Sequence, residues 1–93
     1  VLLFATRRSY YAIDPGPGLL MQLPGGTDCG LEQGVWHAVV YEDQPEAGTG
    51  FLCSVAPLGG GRPIAIRTSP VEWVGPEPPV AAYAAIFAPA IGA

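Results

Sequence analysis

The hydrophobic pattern is clearest across residues 34–42, GVWHAVVYE, where Val35, His37, Val39 and Tyr41 alternate with Trp36, Ala38, Val40 and Glu42. A period of two with β-branched and aromatic residues puts these side chains on opposite faces of a β-strand. The same period recurs upstream. Residues 2–6 form a short apolar run ended by Arg7, Arg8 and Ser9, and YYAID at 10–14 resumes the strand pattern. LLMQL at 19–23 then sets Leu19, Met21 and Leu23 against Leu20 and Gln22. Asp14-Pro15-Gly16-Pro17-Gly18 lies between the last two, and it turns the chain because proline fixes φ and lacks a donor while glycine tolerates positive φ. Residues 10–23 therefore predict a hairpin.

Downstream, residues 24–33 (PGGTDCGLEQ) read as a loop carrying Cys29, and 43–50 (DQPEAGTG) as an acidic connection rich in Pro and Gly. FLCSV at 51–55 puts Phe51, Cys53 and Val55 on one face. After a Gly59-Gly60-Gly61 turn, PIAIRT at 63–68 directs Ile64 and Ile66 inward. Ser69-Pro70 predicts a break, followed by a last short strand at 71–74 with Val71 and Trp73 sharing a face. A helix in the first half is not expected, since Pro and Gly punctuate the chain from Pro15 onward. Six or seven short strands between turn signals predict an all-β fold, a small closed barrel or a compact sandwich. The barrel is favoured because strand edges must be hidden, and the chain has no lysine and few glutamates to blunt them.

The RTSPVEWV run at 67–74 resembles the last strands of SH3-like barrels. The resemblance, which takes in the preceding glycine turn and apolar strand, implies an SH3-like architecture, with no ligand implied. The opening VLLF…YYAIDP…LLMQL pattern also looks like a hairpin of betaherpesvirus tegument proteins, from which no function is carried over.

Residues 1–74 are thus expected to form the barrel, and 75–93 a separate arm. Gly75-Pro76-Glu77-Pro78-Pro79 reads as a stiff spacer of polyproline type. VAAYAAIFAPAIGA at 80–93 has no charged side chain, and 80–88 predict about two helical turns ending before Pro89. Such a short helix is marginal alone in water. Free in solution, the arm exposes Val80, Tyr83, Ile86, Phe87 and Ile91, an apolar patch of the kind that marks a contact site.

Composition narrows the function classes. At 49% hydrophobic and 13% charged, the chain is not of the disordered type. A net charge of −4 with four arginines and no lysine leaves no basic footprint for nucleic acid. No run of ~18 apolar residues predicts a membrane span, and no signal-peptide pattern is visible. The absence of lysine and asparagine beside 13 Gly and 11 Pro points to a GC-rich genome, bacterial or viral, and so to a virion or the cytoplasm of such a host. The chain begins at Val1 rather than Met, which leaves a processed end and a fragment boundary both open. So few surface charges suit a surface covered by partners, with compositional drift as the alternative.

Candidate chemistry is sparse. His37 has no Cys or Asp at ligand spacing, so it predicts a partly buried ring bonded to a local carbonyl rather than a metal ligand or general base. Cys29 and Cys53 are open between a disulfide, worth ~3 kcal/mol for such a loop, and two free thiols. A Cys29–His37–Asp43 triad lacks the paired donors and helix start that activate a thiolate. Gly59-Gly60-Gly61-Arg62 is followed by Pro63 and a strand, so a hairpin turn is expected rather than a phosphate cradle. Glu42, Asp43 and Glu46 are interrupted by Pro45 and lack EF-hand spacing.

No catalytic residue, metal or cofactor is therefore assigned. One of Trp36 and Trp73 is expected to fill the core and the other to join a contact patch. The expected function is a non-enzymatic structural or assembly subunit of a larger particle, a phage or viral capsid or tail component being one form. It would meet other subunits, in a homo- or hetero-oligomer, through Trp36, Trp73, Val80, Tyr83, Ile86, Phe87 and Ile91. The alternative is a small regulator or inhibitor that binds a single protein partner through its barrel, with the tail folded back on it.

Overall fold

A computed structural model describes residues 1–26 and 30–91. Six strands, β1 (Leu2–Thr6), β2 (Tyr10–Asp14), β3 (Leu19–Gln22), β4 (His37–Val40), β5 (Gly50–Val55) and β6 (Ile64–Gly75), close into an antiparallel barrel in chain order, with β6 returning to β1. A 3₁₀ turn (Ala81–Tyr83) leads into helix α1 (Ala84–Ile91). The architecture is nearly all-β and compatible with a small SH3-like barrel.

The period-two pattern is realised strand by strand. In the β1–β2 pair, Phe4 faces Tyr11 and Leu2 faces Ile13, with Phe4, Tyr11 and Ile13 toward the lumen, while Leu3 faces Ala12 on the outside. The predicted hairpin forms with Asp14 opposite Leu19, and Gly18, at φ +74°, donates its N–H to the Asp14 carbonyl at 3.0 Å. The lumen holds Phe4, Tyr11, Ile13, Leu20, Phe51 and Val55, with Leu31 entering from the loop before β4. Phe4 stacks on Tyr11 and meets Phe51 edge-on. One end of the barrel is polar. Gln22, fully buried opposite Tyr11, donates from Nε2 to Ser9 Oγ at 3.3 Å, and Thr6 Oγ1 accepts the N–H groups of Arg8 and Ser9.

Four expectations are corrected. The central strand is shorter than 34–42, because β4 pairs with β3 and β5 only from His37 to Val40. Ser69-Pro70 does not end a strand. β6 runs through it for 12 residues, pairing with β5 in its first part and with β1 in its last. Pro70 sits where the β5 register shifts, a place that does not need its missing donor.

The third correction concerns faces. Ala5 pairs with Trp73 and Thr6 with Val71, so Glu72 is an extra residue bulged out of β6. The bulge reverses the alternation, turning Val71 into the lumen and Trp73 outward, where a regular strand would have put both on one side. Last, α1 does not stop before Pro89 but passes through it to Ile91. Proline there removes one intrahelical bond. Ala90, just past the proline, packs against the cluster of Leu3, Ala12, Met21, Leu23 and Phe87.

Candidate partner-binding surfaces

The arm does not hang free. Tyr83, Ile86, Phe87 and Ala90 recur at helical spacing and form the face that meets the barrel. They cover an outer patch of Leu3, Ala12, Met21 and Leu23, a second apolar core outside the lumen. A chain that is 49% hydrophobic can thus fill two cores. Phe87 is 0% exposed. Its ring stands edge-on to Trp73 at 5.5 Å and to Tyr10 at 5.9 Å, while Tyr83 stacks on Trp73 at 5.8 Å.

This changes what the seven expected contact residues can do. Phe87 is inaccessible, and Tyr83, Ile86, Trp36 and Trp73 are half-buried beneath or beside the helix. Neither tryptophan fills the lumen, and both flank the outer core. Val80, 51% exposed, and Ile91, 44% exposed, still face solvent, together with Ala81, Ala82, Ala84 and Ala85. The physical reason is proximity. The spacer starts where β6 ends beside β1, and the outer faces of β1 to β3 offer an uncovered apolar surface within its reach.

A different feature is concave. A groove of about 1020 Å³ opens between the end of β4, residues 41–46, and the first half of β5, with Ala65, Ile66 and Arg67 of β6 along one side. It exists because the chain leaves the barrel wall after Val40. Residues 42–44 bend outward, Pro45 is buried, and the chain rejoins the sheet on β6, where Gly48 N–H donates to the Val71 carbonyl and Val71 N–H donates to that of Thr49, both at 2.8 Å. The β4–β5 ladder is therefore only two pairs long, Val39 with Val55 and Val40 with Ser54. Gly50 turns the chain into β5 so tightly that a Cβ there would lie 2.6 Å from the Thr68 carbonyl oxygen.

Tyr41 and Phe51, edge-on at 5.4 Å, line the groove with Cys53 and Ile66. Glu42, Asp43 and Glu46 form one exposed rim, and Arg67 is the single cation opposite. Two large apolar side chains stand out beside the opening, Val40 at 74% and Leu52 at 55% exposed. In the sequence these residues appeared as an acidic loop and parts of two strands. What brings them together is the detour at Pro45, which no local pattern announces.

The remaining candidates are accounted for structurally. His37 is buried, with Nε2 3.0 Å from the Glu32 carbonyl oxygen, so Nε2 carries the proton. Its Nδ1 is buried without a hydrogen-bond partner. Asp43 of the drawn triad is exposed on the groove rim, and Cys29 lies outside the described residues. Cys53 is buried on the lumen face of β5. Gly60 and Gly61, at φ +82° and +103°, sit in the exposed turn between β5 and β6, with Arg62 exposed beside them. Among the described residues, no three His, Cys, Asp or Glu side chains gather to hold a metal, and no helix is long and apolar enough to cross a membrane.

Comparison with protein-family models, with curated proteins and with solved structures found no match.

Proposed function

We propose that this chain is a small non-enzymatic protein-binding domain that engages one partner through the flank of its barrel, at the groove between β4 and β5. The observation that supports this most is the division of apolar surface. The arm that would have served as a free contact element is spent on the chain's own outer core, with Phe87 fully buried. The groove keeps exposed Leu52 and Val40 beside a floor of Tyr41 and Phe51. Large exposed apolar side chains around a concave site are typical of contact surfaces.

The test is selection of peptides from an unbiased random library on the folded chain, followed by mapping of the selected peptides through amide chemical shifts. Peptides that shift residues 40–46 and 50–54, and that lose affinity at least tenfold against Leu52→Asp, support the proposal. No enrichment over bare matrix, or binders that map elsewhere, overturn it.

A second reading rests on the outward side of α1, where Val80, Ile91 and four alanines form an exposed strip without charge. On it, the chain is an assembly subunit that packs through the docked helix, a capsid or tail component being one form. Sedimentation of the full chain separates the two. Self-association abolished by Ile91→Glu favours the assembly subunit, and a monomer across the accessible concentration range favours the single-partner domain.

A further inference from the structure

We infer that the groove takes an extended polypeptide segment with alternating apolar and basic side chains, bound as an added strand along the free half of β5. This rests on the proposed function above and specifies its partner. The bonding parity of β5 is fixed on both sides. Ala56 N–H donates to the Ala38 carbonyl, on the β4 side, at 2.9 Å, and Phe51 N–H donates to Thr68 Oγ1, on the β6 side, at 2.9 Å. Peptide groups alternate in direction along a strand. The N–H and C=O of Leu52 therefore point the same way as those of Ala56, toward β4. No β4 residue stands there, since the ladder ends at Val40 and Ser54.

Among the described residues the Leu52 rung has no β4 partner, and such a rung next to an exposed leucine is a template for a further strand, an edge that proteins ordinarily guard with lysine, proline or a covering segment. Here the groove occupies the place of a cover. The charge of the rim selects the partner. Glu42, Asp43 and Glu46 against Arg67 make it net acidic, and the whole chain carries −4, so long-range attraction favours a basic segment. Alternation follows from strand geometry. Every second side chain of an added strand faces Tyr41 and Phe51, and the others stand at the carboxylate rim.

The experiment uses the full chain and three capped octapeptides. The first alternates valine and lysine, the second alternates valine and glutamate, and the third is the first with alternate backbone nitrogens methylated to block strand pairing. The expected result is binding of the valine–lysine peptide, with shifts at residues 42–46 and 50–54 and slowed exchange of the Leu52 amide. The valine–glutamate and methylated peptides should bind at least tenfold more weakly. Asp43→Lys with Glu46→Lys, both on exposed side chains, should reverse the charge preference.

Equal binding of the methylated peptide, an unchanged preference in the charge-reversed variant, or no binding at all overturns the inference. If these peptides fail while library-selected peptides still map to the groove, the strand-addition mode is wrong and the protein-binding domain stands. If nothing maps to the groove, both fall.

Discussion

Replacing Phe87 with alanine tests whether α1 is part of the fold or an appendage. The ring is wholly buried between Leu3, Ala12, Met21 and Leu23 below and the edges of Tyr10 and Trp73 beside it. Truncation of a buried phenylalanine costs about 3–5 kcal/mol when the site cannot collapse. A short apolar helix has an alternative, since it can leave the barrel instead of enclosing a cavity. The measured cost is then the smaller of the cavity penalty and the docking free energy, and we expect about 3 kcal/mol.

Against a total stability of roughly 5–14 kcal/mol for a domain of this length, that loss is large. With a urea m of about 1.5 kcal/mol/M it lowers the midpoint by about 2 M. Trp73 supplies an independent readout, because Phe87 and Tyr83 lie against its ring and undocking exposes it. Its emission should move to longer wavelength while the far-ultraviolet β signal persists. Ile91→Ala, at a position 44% exposed, serves as control and should change stability by less than about 0.5 kcal/mol. A Phe87→Ala protein with unshifted emission and a loss below about 1 kcal/mol would refute the docked helix.

Further outcomes follow from the same geometry. Gly50→Ala should cost about 1–3 kcal/mol in a denaturant melt, because its Cβ would meet the Thr68 carbonyl oxygen at 2.6 Å and both groups are backbone. Gly59→Ala, with nothing within 4 Å and no positive φ, should be neutral or stabilising by up to about 1 kcal/mol in the same melt. Pro89→Ala should stabilise the protein by about 1–3 kcal/mol in thermal unfolding, since it restores a helical donor inside α1; a loss would mean that the helix depends on the proline. His37→Leu should leave stability within about 1 kcal/mol, because losing the bond to Glu32 is offset by removing a buried unpaired Nδ1. A urea midpoint far below wild type would mean that the ring does more than the contacts described.

Much of the barrel was legible because strands carry their own signal. Phe51, Cys53 and Val55 share the lumen as their spacing predicts, and His37 and Val39 are buried while Ala38 and Val40 are exposed. The Asp14–Gly18 turn reads directly from residues that admit few backbone conformations. The candidate site was not legible. Its parts are an ordinary acidic loop, one tyrosine and half a strand, and nothing local says that the chain will leave the wall at Val40 and rejoin at Val71.

The sequence by itself determined that the chain is built of short strands, which face is apolar in regular strands such as β4 and β5, and that it turns at Asp14–Gly18. These are consequences of alternation, proline and glycine, whose effects reach only a few residues. Tertiary structure decided the rest. The bulge at Glu72 separated Val71 from Trp73, the outer faces of β1 to β3 became a seat for α1, and the short β4 left β5 with an open edge. Each depends on register or on contact between segments far apart in the chain. A local pattern cannot encode that, because the same apolar face is satisfied by whichever surface the closed barrel brings to it.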